Sequence, residues 1–441
     1  MKTYSSVGVE RYITAGFLSL ILAGALLLWC CNFAADMALS PIDALFLSTS
    51  AVCVTGLAPL DIGTGLALPS QFVLLVLIQL GGIGIMGATT SLLLISGHRL
   101  AFRDRLFLAG GFGLEGPMGV VRLLRLVLTH TLLFEAAGAA LMFFSFRGTG
   151  LSTAQAAYHS IFHSVSAFCN AGFSLYSTNL EGFASSFVVP GTIMALIVVG
   201  GIGFPVMLEL GDIRRGRTRF LSVYARVVLT ATAVLLVFGT AAIAFSEWNA
   251  AFRDMTPLEK FWNALFGSVT ARTAGFDTVH YARWSQEGIM ITMFLMLIGA
   301  SPSSTGGGLK TTTFAVLIWS AWSELRQEQD VNVRGRRIPD TTVRRALALA
   351  FIYFFTLFFA SAVLSFADDI PYSSLVFEAV SALGTVGLSR GITPDLSATS
   401  KMMLILLMFW GRVGILTFSY SLVPRERHVD VRYPDANIPI G

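Results

Sequence analysis

Four short segments of this 441-residue chain repeat one pattern: an amphipathic run, then small and hydroxyl residues, then glycine. They run from Leu45 to Leu57, from Ile161 to Phe173, from Leu265 to Phe276 and from Val376 to Leu388. Their glycines, Gly56, Gly172, Gly275 and Gly387, are separated by 116, 103 and 112 residues. Ahead of each glycine stands a pair: Val54-Thr55, Asn170-Ala171, Thr273-Ala274 and Thr385-Val386. No nucleophile, base and orienting group are grouped in these segments, so their chemistry is that of the backbone. Glycine adopts positive φ without steric cost, which lets successive carbonyls point the same way. Four such loops around one axis make rings of oxygens able to replace the hydration shell of a dehydrated cation. The half-helix before each loop aims its partly negative C-terminal end at the same place. A single Thr-x-Gly is a trivial match, whereas four in register specify a shared site.

Each segment has the same neighbours. Long apolar runs precede it at about 13–33, 122–145, 224–246 and 345–366, and others follow at about 70–96, 186–210, 287–322 and 398–421. Runs near 20 residues cross a ~30 Å hydrocarbon core, and segments of a dozen do not. The expectation is an all-α membrane protein with eight transmembrane helices and four re-entrant pore loops. It is arranged as four pseudo-symmetric helix–pore-loop–helix repeats over 1–97, 98–218, 219–326 and 327–441. Composition agrees, with 54% apolar residues and 13% charged, about half the ~25% charge of soluble domains. A soluble enzyme, a disordered chain and a nucleic-acid binder are excluded as first readings, and a net charge of +4 is too small to attract an anionic polymer. Unbroken runs such as 72–95 also exclude alternating β-barrel strands. No cleavable signal peptide is evident before the first run.

The helices that follow the loops carry a second repeat. Gly81-Gly82-Ile83-Gly84 matches Gly200-Gly201-Ile202-Gly203, and the fourth copy reads Gly411-Arg412-Val413-Gly414. The third copy is broken instead, over 299–313: Gly299, Ser301, Pro302, Ser303, Ser304, Thr305, Gly306, Gly307 and Gly308 are poor helix formers. That stretch is a kink for close packing or a loop that obstructs a pore. Lys310 and Arg412 fall inside membrane runs, where an unpaired charge costs several kcal/mol. Arg412 is either a positive barrier in a cavity or a clamp on helices or loop; Lys310 is a candidate tether of the broken stretch.

Most of the 30 Lys and Arg fall on the side that holds both termini, among them Arg99, Arg103 and Arg105, Arg214, Arg215 and Arg217, and Arg334, Arg336 and Arg337. The opposite side has Arg147, Arg253, Lys260, Arg272, Arg283, Arg390 and Lys401. The positive-inside rule makes the first side, with both termini, cytoplasmic. Several further polar residues have structural readings. Glu135 bonds between helices, and His159 and His163 are packing residues one turn apart. Arg272 bonds outward to the pore-helix framework, and Asp277 is a solvated loop residue or a cation attractor at the mouth. Gly82-Ile83-Gly84-Ile85-Met86-Gly87 fits a dinucleotide-binding pattern by letters only, because it lies in a spanning run.

These motifs, together covering nearly the whole chain, resemble the superfamily of potassium transporters that includes bacterial Ktr and Trk and plant HKT proteins, and most closely the membrane subunit of Ktr. The resemblance rests on the four loop segments, the 299–313 break and Arg412. It implies a potassium selectivity filter at Val54-Thr55-Gly56, Asn170-Ala171-Gly172, Thr273-Ala274-Gly275 and Thr385-Val386-Gly387. Four filter glycines go with potassium; plant members with serine in the first loop tend toward sodium. It also implies a gating loop at 299–313, uptake of K+ down its gradient and Na+ as a possible activator, with no organic cofactor on this chain. The implied assembly is a homodimer in the cell membrane, in contact with lipid, on a cytosolic ring of nucleotide-binding regulatory subunits. A sodium-coupled or sodium-permeable cation transporter of the same architecture is the alternative.

Overall fold

The computed structural model describes residues 9–84 and 120–414. Among the described residues the regular structure is helical apart from a two-stranded hairpin, β1 (Asn332–Val333) and β2 (Arg336–Arg337), in the connection between the third and fourth repeats. Among the described residues four helices are long and apolar enough to cross a membrane: α1 (Val9–Phe33), α5 (Val120–Gly148), α9 (Val223–Glu247) and α13 (Asp340–Ala367). Each turns large apolar side chains outward. Leu26, Leu132, Phe144, Val237, Phe245, Phe358 and Phe366 are exposed, Phe245 and Phe366 to more than nine tenths. A water-soluble surface hides such groups, and a hydrocarbon solvent rewards their display.

Between the long helices sit four short ones: α2 (Pro41–Val52), α6 (Thr153–Phe168), α10 (Pro257–Thr270) and α14 (Tyr372–Gly384). Their N-termini are built from capping residues. Ser40, Ser152 and Thr256 accept from the backbone N–H three residues on, and the last two close full capping boxes with Gln155 and Glu259. Their burial is the inverse of the long helices', because polar residues such as Ser48, Thr49, Ser50, Ser164, Ser166, Thr270 and Ser381 are inside. Three of these hydroxyls pin short helix to long helix. Ser48 donates to Ile21 O (2.7 Å), Ser164 to Glu135 O (2.6 Å) and Ser268 to Leu236 O (3.0 Å). Three residues beyond each acceptor lies Gly24, Gly138 or Gly239, where an added methyl would come within 2.4–2.6 Å of the same hydroxyl. Small residues thus admit the short helix, and a buried hydrogen bond fixes its depth. Ala379 occupies the matching place in α14.

The helices after the loops correct the sequence reading. They were expected as three continuous spans and one broken one. Instead α4 (Leu68–Ile83), which follows the single turn α3 (Ile62–Gly65), α7 (Val188–Ile202) and α15 (Ala398–Val413) each stop at a glycine, Gly84, Gly203 or Gly414, with φ of +83°, +99° and +89°. These values with strongly positive ψ belong to a region essentially confined to glycine. In the second repeat the chain resumes at once as α8 (Phe204–Arg214), bent 97° from α7. In the third, α11 (Gln286–Leu297) and α12 (Thr311–Leu325) flank the expected break. A helix stop at this glycine therefore recurs in the first, second and fourth repeats, and the described residues show the chain resuming beyond the break in the second and third. The continuations expected at 85–96 and 415–421, and the basic residues Arg99, Arg103 and Arg105, lie outside the described residues.

Candidate functional site: a ring of four backbone loops

Each short helix ends in the same backbone figure. The first residue of each triplet is left-handed: Val54 at φ +55°, Asn170 at +59°, Thr273 at +68° and Thr385 at +49°. The glycines follow at +101°, +70°, +79° and +93°, with Thr55, Ala171, Ala274 and Val386 between them at negative φ. Positive φ at β-branched Val54, Thr273 and Thr385 is an outlier that costs of order 1–3 kcal/mol each and persists only where surroundings enforce it. Alternating handedness turns consecutive peptide planes so that their carbonyls align. The figure is pinned from behind. The N–H of Thr55, Ala171, Ala274 and Val386 donates to Ser50, Ser166, Thr270 and Ser381 O at 2.7–3.0 Å. Ser50 and Ser381 Oγ further accept from Gly56 and Gly387 N, both at 3.0 Å. The third loop closes this turn one residue shorter, Ala274 N reaching four residues back to Thr270 O where the others reach five.

The glycines show how the loops meet. A methyl on Gly56 would lie 2.3 Å from Ala171 O, on Gly172 2.5 Å from Ala274 O, on Gly275 2.6 Å from Val386 O, and on Gly387 2.0 Å from Thr55 O. The contacts run first to second, second to third, third to fourth and fourth back to first, which closes a ring. A salt bridge from Lys401 to Asp43 (2.9 Å) joins the fourth repeat to the first on its rim. Among the described residues no donor reaches the carbonyl oxygens of Thr55, Ala171, Ala274 or Val386. Thr55 Oγ1, Asn170 Oδ1 and Thr385 Oγ1 are likewise buried without a hydrogen-bond partner. Buried unpaired oxygens are costly, and a ring of them, at the C-terminal ends of four helices, suits a desolvated cation.

The broken stretch lies directly against this ring. A methyl on Gly306 would come 2.2 Å from Thr273 Oγ1, and one on Gly307 2.3 Å from Thr385 Oγ1. Hydrogen bonds hold the stretch to every neighbour. Ser301 N and Thr305 N donate to Gly201 O (3.1 Å) and Gly200 O (3.2 Å), and Gly308 N to Gly411 O (3.4 Å). Phe204 N donates to Ser303 O (3.0 Å) and Tyr224 Oη to Pro302 O (3.0 Å). Ser304 Oγ donates to Ser301 O (2.6 Å) within the loop, and Gly299 N pairs with Leu309 O (2.8 Å). The Lys310 ammonium curls back onto Gly306 O (2.9 Å). Arg412 donates to Thr305 O on one side and to Gly81 O on the other. The guanidinium thus bridges the broken stretch and the end of α4, the bonding pattern of a clamp.

Other singled-out residues have local roles. Arg272 is buried near the C-terminal end of α10 and donates to Thr232 Oγ1 on α9 (3.4 Å). His163 bonds His159 O (2.8 Å) and Ser174 Oγ (3.0 Å), and among the described residues no cluster fit for a metal ion exists. Sequence reading missed the hydroxyl pins, the Tyr224 contact and the acceptors that cap the following helices. Asn32 Oδ1 accepts from Ser70, Glu247 from Ser285 and Asp368 from Ser397. A polar residue near the end of α1, α9 and α13, with serine near the next helix start, was the available signal.

Asp277, just past the third loop, is buried, and its Oδ1 has no hydrogen-bond partner. Burial, with Glu181 nearby, pushes its carboxyl up to about 7. A carboxyl raised on folding binds its proton more tightly in the native state, so it contributes stability that fades as pH rises from the ordinary value of 3.8 through about 7. The melting temperature of Asp277→Asn should therefore match the parent near pH 4 and exceed it increasingly up to pH 7. A gap independent of pH in detergent-solubilised protein contradicts this assignment.

The comparisons with known proteins agree with this architecture. Residues 10–429 match the family model TrkH, described as a cation transport protein. The chain is 36% identical to the potassium/sodium uptake protein NtpJ of Enterococcus hirae, over 98% of this chain and 97% of that one. It is 35% identical to the Ktr system potassium uptake protein B of Vibrio alginolyticus, over 98% and 95%. Among solved structures it is similar to the potassium transporter TrkH from Vibrio parahaemolyticus, with a TM-score of 0.76 at 20% identity, covering 96% of this chain and 86% of the other. A chain whose full length follows these transporters, and whose long helices display apolar faces, is a multi-pass membrane transporter and not an enzyme: it belongs to the TrkH/Ktr family of cation transport proteins.

Proposed function

We propose that this protein takes up potassium through the ring at Thr55-Gly56, Ala171-Gly172, Ala274-Gly275 and Val386-Gly387. The observation that carries the reading is the closed circuit of glycine-to-carbonyl contacts with unpaired oxygens facing it. Such a site strips and re-coordinates a monovalent cation without any bond chemistry, so transport follows the electrochemical gradient. Four crossings by α1, α5, α9 and α13, and four by the interrupted helices, bring both termini to the cytoplasm. The short helices then enter from outside. The stretch 299–310 is the gate beneath the ring, with Arg412 and Lys310 holding it closed. The relatives named for the Ktr system support a partner subunit; on this reading it is a cytosolic ring that binds nucleotide and releases the gate of a dimeric membrane subunit.

Sodium is the second reading, because NtpJ is named for both ions and the four loops differ in side chain. Rb+ uptake into vesicles holding the purified protein tests both. Potassium should compete strongly and sodium weakly. Equal competition supports the sodium-permeable reading, and obligatory stoichiometric co-transport of sodium overturns a channel-like path.

A further inference from the structure

The gate is held between α9 and α12: Tyr224 on α9 bonds Pro302, and α12 continues the chain immediately after Lys310. The outer faces of these two helices enclose a groove of about 320 Å³. Its walls are apolar, from Val227, Ala231, Val234 and Leu235 on one side and Phe314 and Ile318 on the other. Arg226 and Arg334 also line it. The helices run antiparallel here, so Arg226 in the first turn of α9 and Arg334 in the hairpin after α12 stand at the same end. Neither side chain has a hydrogen-bond or ion-pair partner among the described residues. From Arg226 to Leu235 the groove runs about 13 Å along α9, at 1.5 Å per residue. Trp322, 54% exposed on α12 near that end, is a residue type of the membrane interface.

We propose that this groove binds one anionic phospholipid, its phosphate on Arg226 and Arg334 and an acyl chain against Ala231, Val234 and Phe314. A long apolar slot open to the membrane, with two unpaired cations at its interfacial end, complements that molecule in shape, polarity and charge. A second copy of the chain leaves the two arginines without anions unless its own surface supplies carboxylates. The inference rests on the reading of α9 and α12 as membrane-embedded with their basic ends cytoplasmic. Lipid bound there touches both helices that carry the gate, which makes the groove a place where membrane composition meets gating.

The test uses the full-length protein in phosphatidylcholine vesicles with and without phosphatidylglycerol. Phosphatidylglycerol retained after extraction is counted by native mass spectrometry. The parent should hold it, and the double variant Arg226→Gln, Arg334→Gln should bind it about 30-fold more weakly, from roughly a fivefold loss per arginine at a membrane surface. Ala231→Phe, which fills the slot and leaves both arginines, should also lose the lipid. Inorganic phosphate at matched ionic strength should not displace it, which separates a lipid from a free anion. Equal retention in all three proteins overturns the site, as does a fall in oligomer mass in Ala231→Phe with lipid retained, which makes the groove an interface between copies. Rb+ flux in the same vesicles is an independent readout: lipid retained without flux leaves the groove assigned and counts against the transport reading.

Discussion

Replacing Gly387 with alanine should cut potassium uptake severely while leaving a folded protein. A methyl at this position would sit 2.0 Å from Thr55 O, in a backbone with φ of +93°. Neither the clash nor the strain can be relieved locally. Thr55 is held from behind by Ser50 O, and the loop at Gly387 is held by Ser381 Oγ at 3.0 Å. Relaxation must move a carbonyl out of the ring. Strain of 1–3 kcal/mol at a non-glycine residue, added to the displaced oxygen, corresponds to a loss of about 100-fold in Rb+ flux. What remains should discriminate potassium from sodium poorly, because the ring widens before it closes. Gly182, with nothing near an added methyl and no left-handed φ, supplies the control: Gly182→Ala should conduct normally. Normal, selective flux through Gly387→Ala, with melting unchanged, would remove the ring from the mechanism.

Parts of this site were legible in the sequence, for a physical reason. The short helices, their glycines and the break are recorded in residue type, since only certain residues tolerate left-handed backbone or stop a helix; the break was expected over 299–313 and ends at Lys310, because Thr311 to Thr313 already form the first turn of α12. The order of the ring was not legible, because the Gly387-to-Thr55 contact joins residues from opposite ends of the chain. The stops at Gly84, Gly203 and Gly414 were hidden for another reason. Glycine is common within membrane helices, and Gly200, which continues its helix, cannot be told by type from Gly203, which ends it. The difference lies in what surrounds them. A methyl on Gly203 would meet Pro302 O at 2.7 Å, and Phe204 N bonds Ser303 O. The broken stretch of the third repeat thus occupies the space that the stop in the second repeat opens. Sequence reading treated that stretch as an isolated feature of one repeat, whereas the second repeat breaks at the matching place and the two breaks pack together.

That relation sharpens the expectation for Arg412. At its position the first and second repeats carry Gly82 and Gly201. The third carries Ala300, and the fourth alone presents a long polar side chain, which reaches both Thr305 O and Gly81 O. Arg412→Gln should raise Rb+ flux about tenfold, the equivalent of one hydrogen bond to a charged group in the closed state. Deleting 303–306 should raise it at least as far by removing Thr305 and the segment against Thr273. The combination separates the two roles open to the guanidinium. If Arg412 acts by holding the loop, the deletion leaves it nothing to hold, and the double variant conducts no faster than the deletion alone. If its charge repels cations directly, the two changes act through separate terms and their effects multiply. The bonds to Thr305 and Gly81 favour the first outcome. Flux that falls in Arg412→Gln, with protein yield unchanged, would count against both roles.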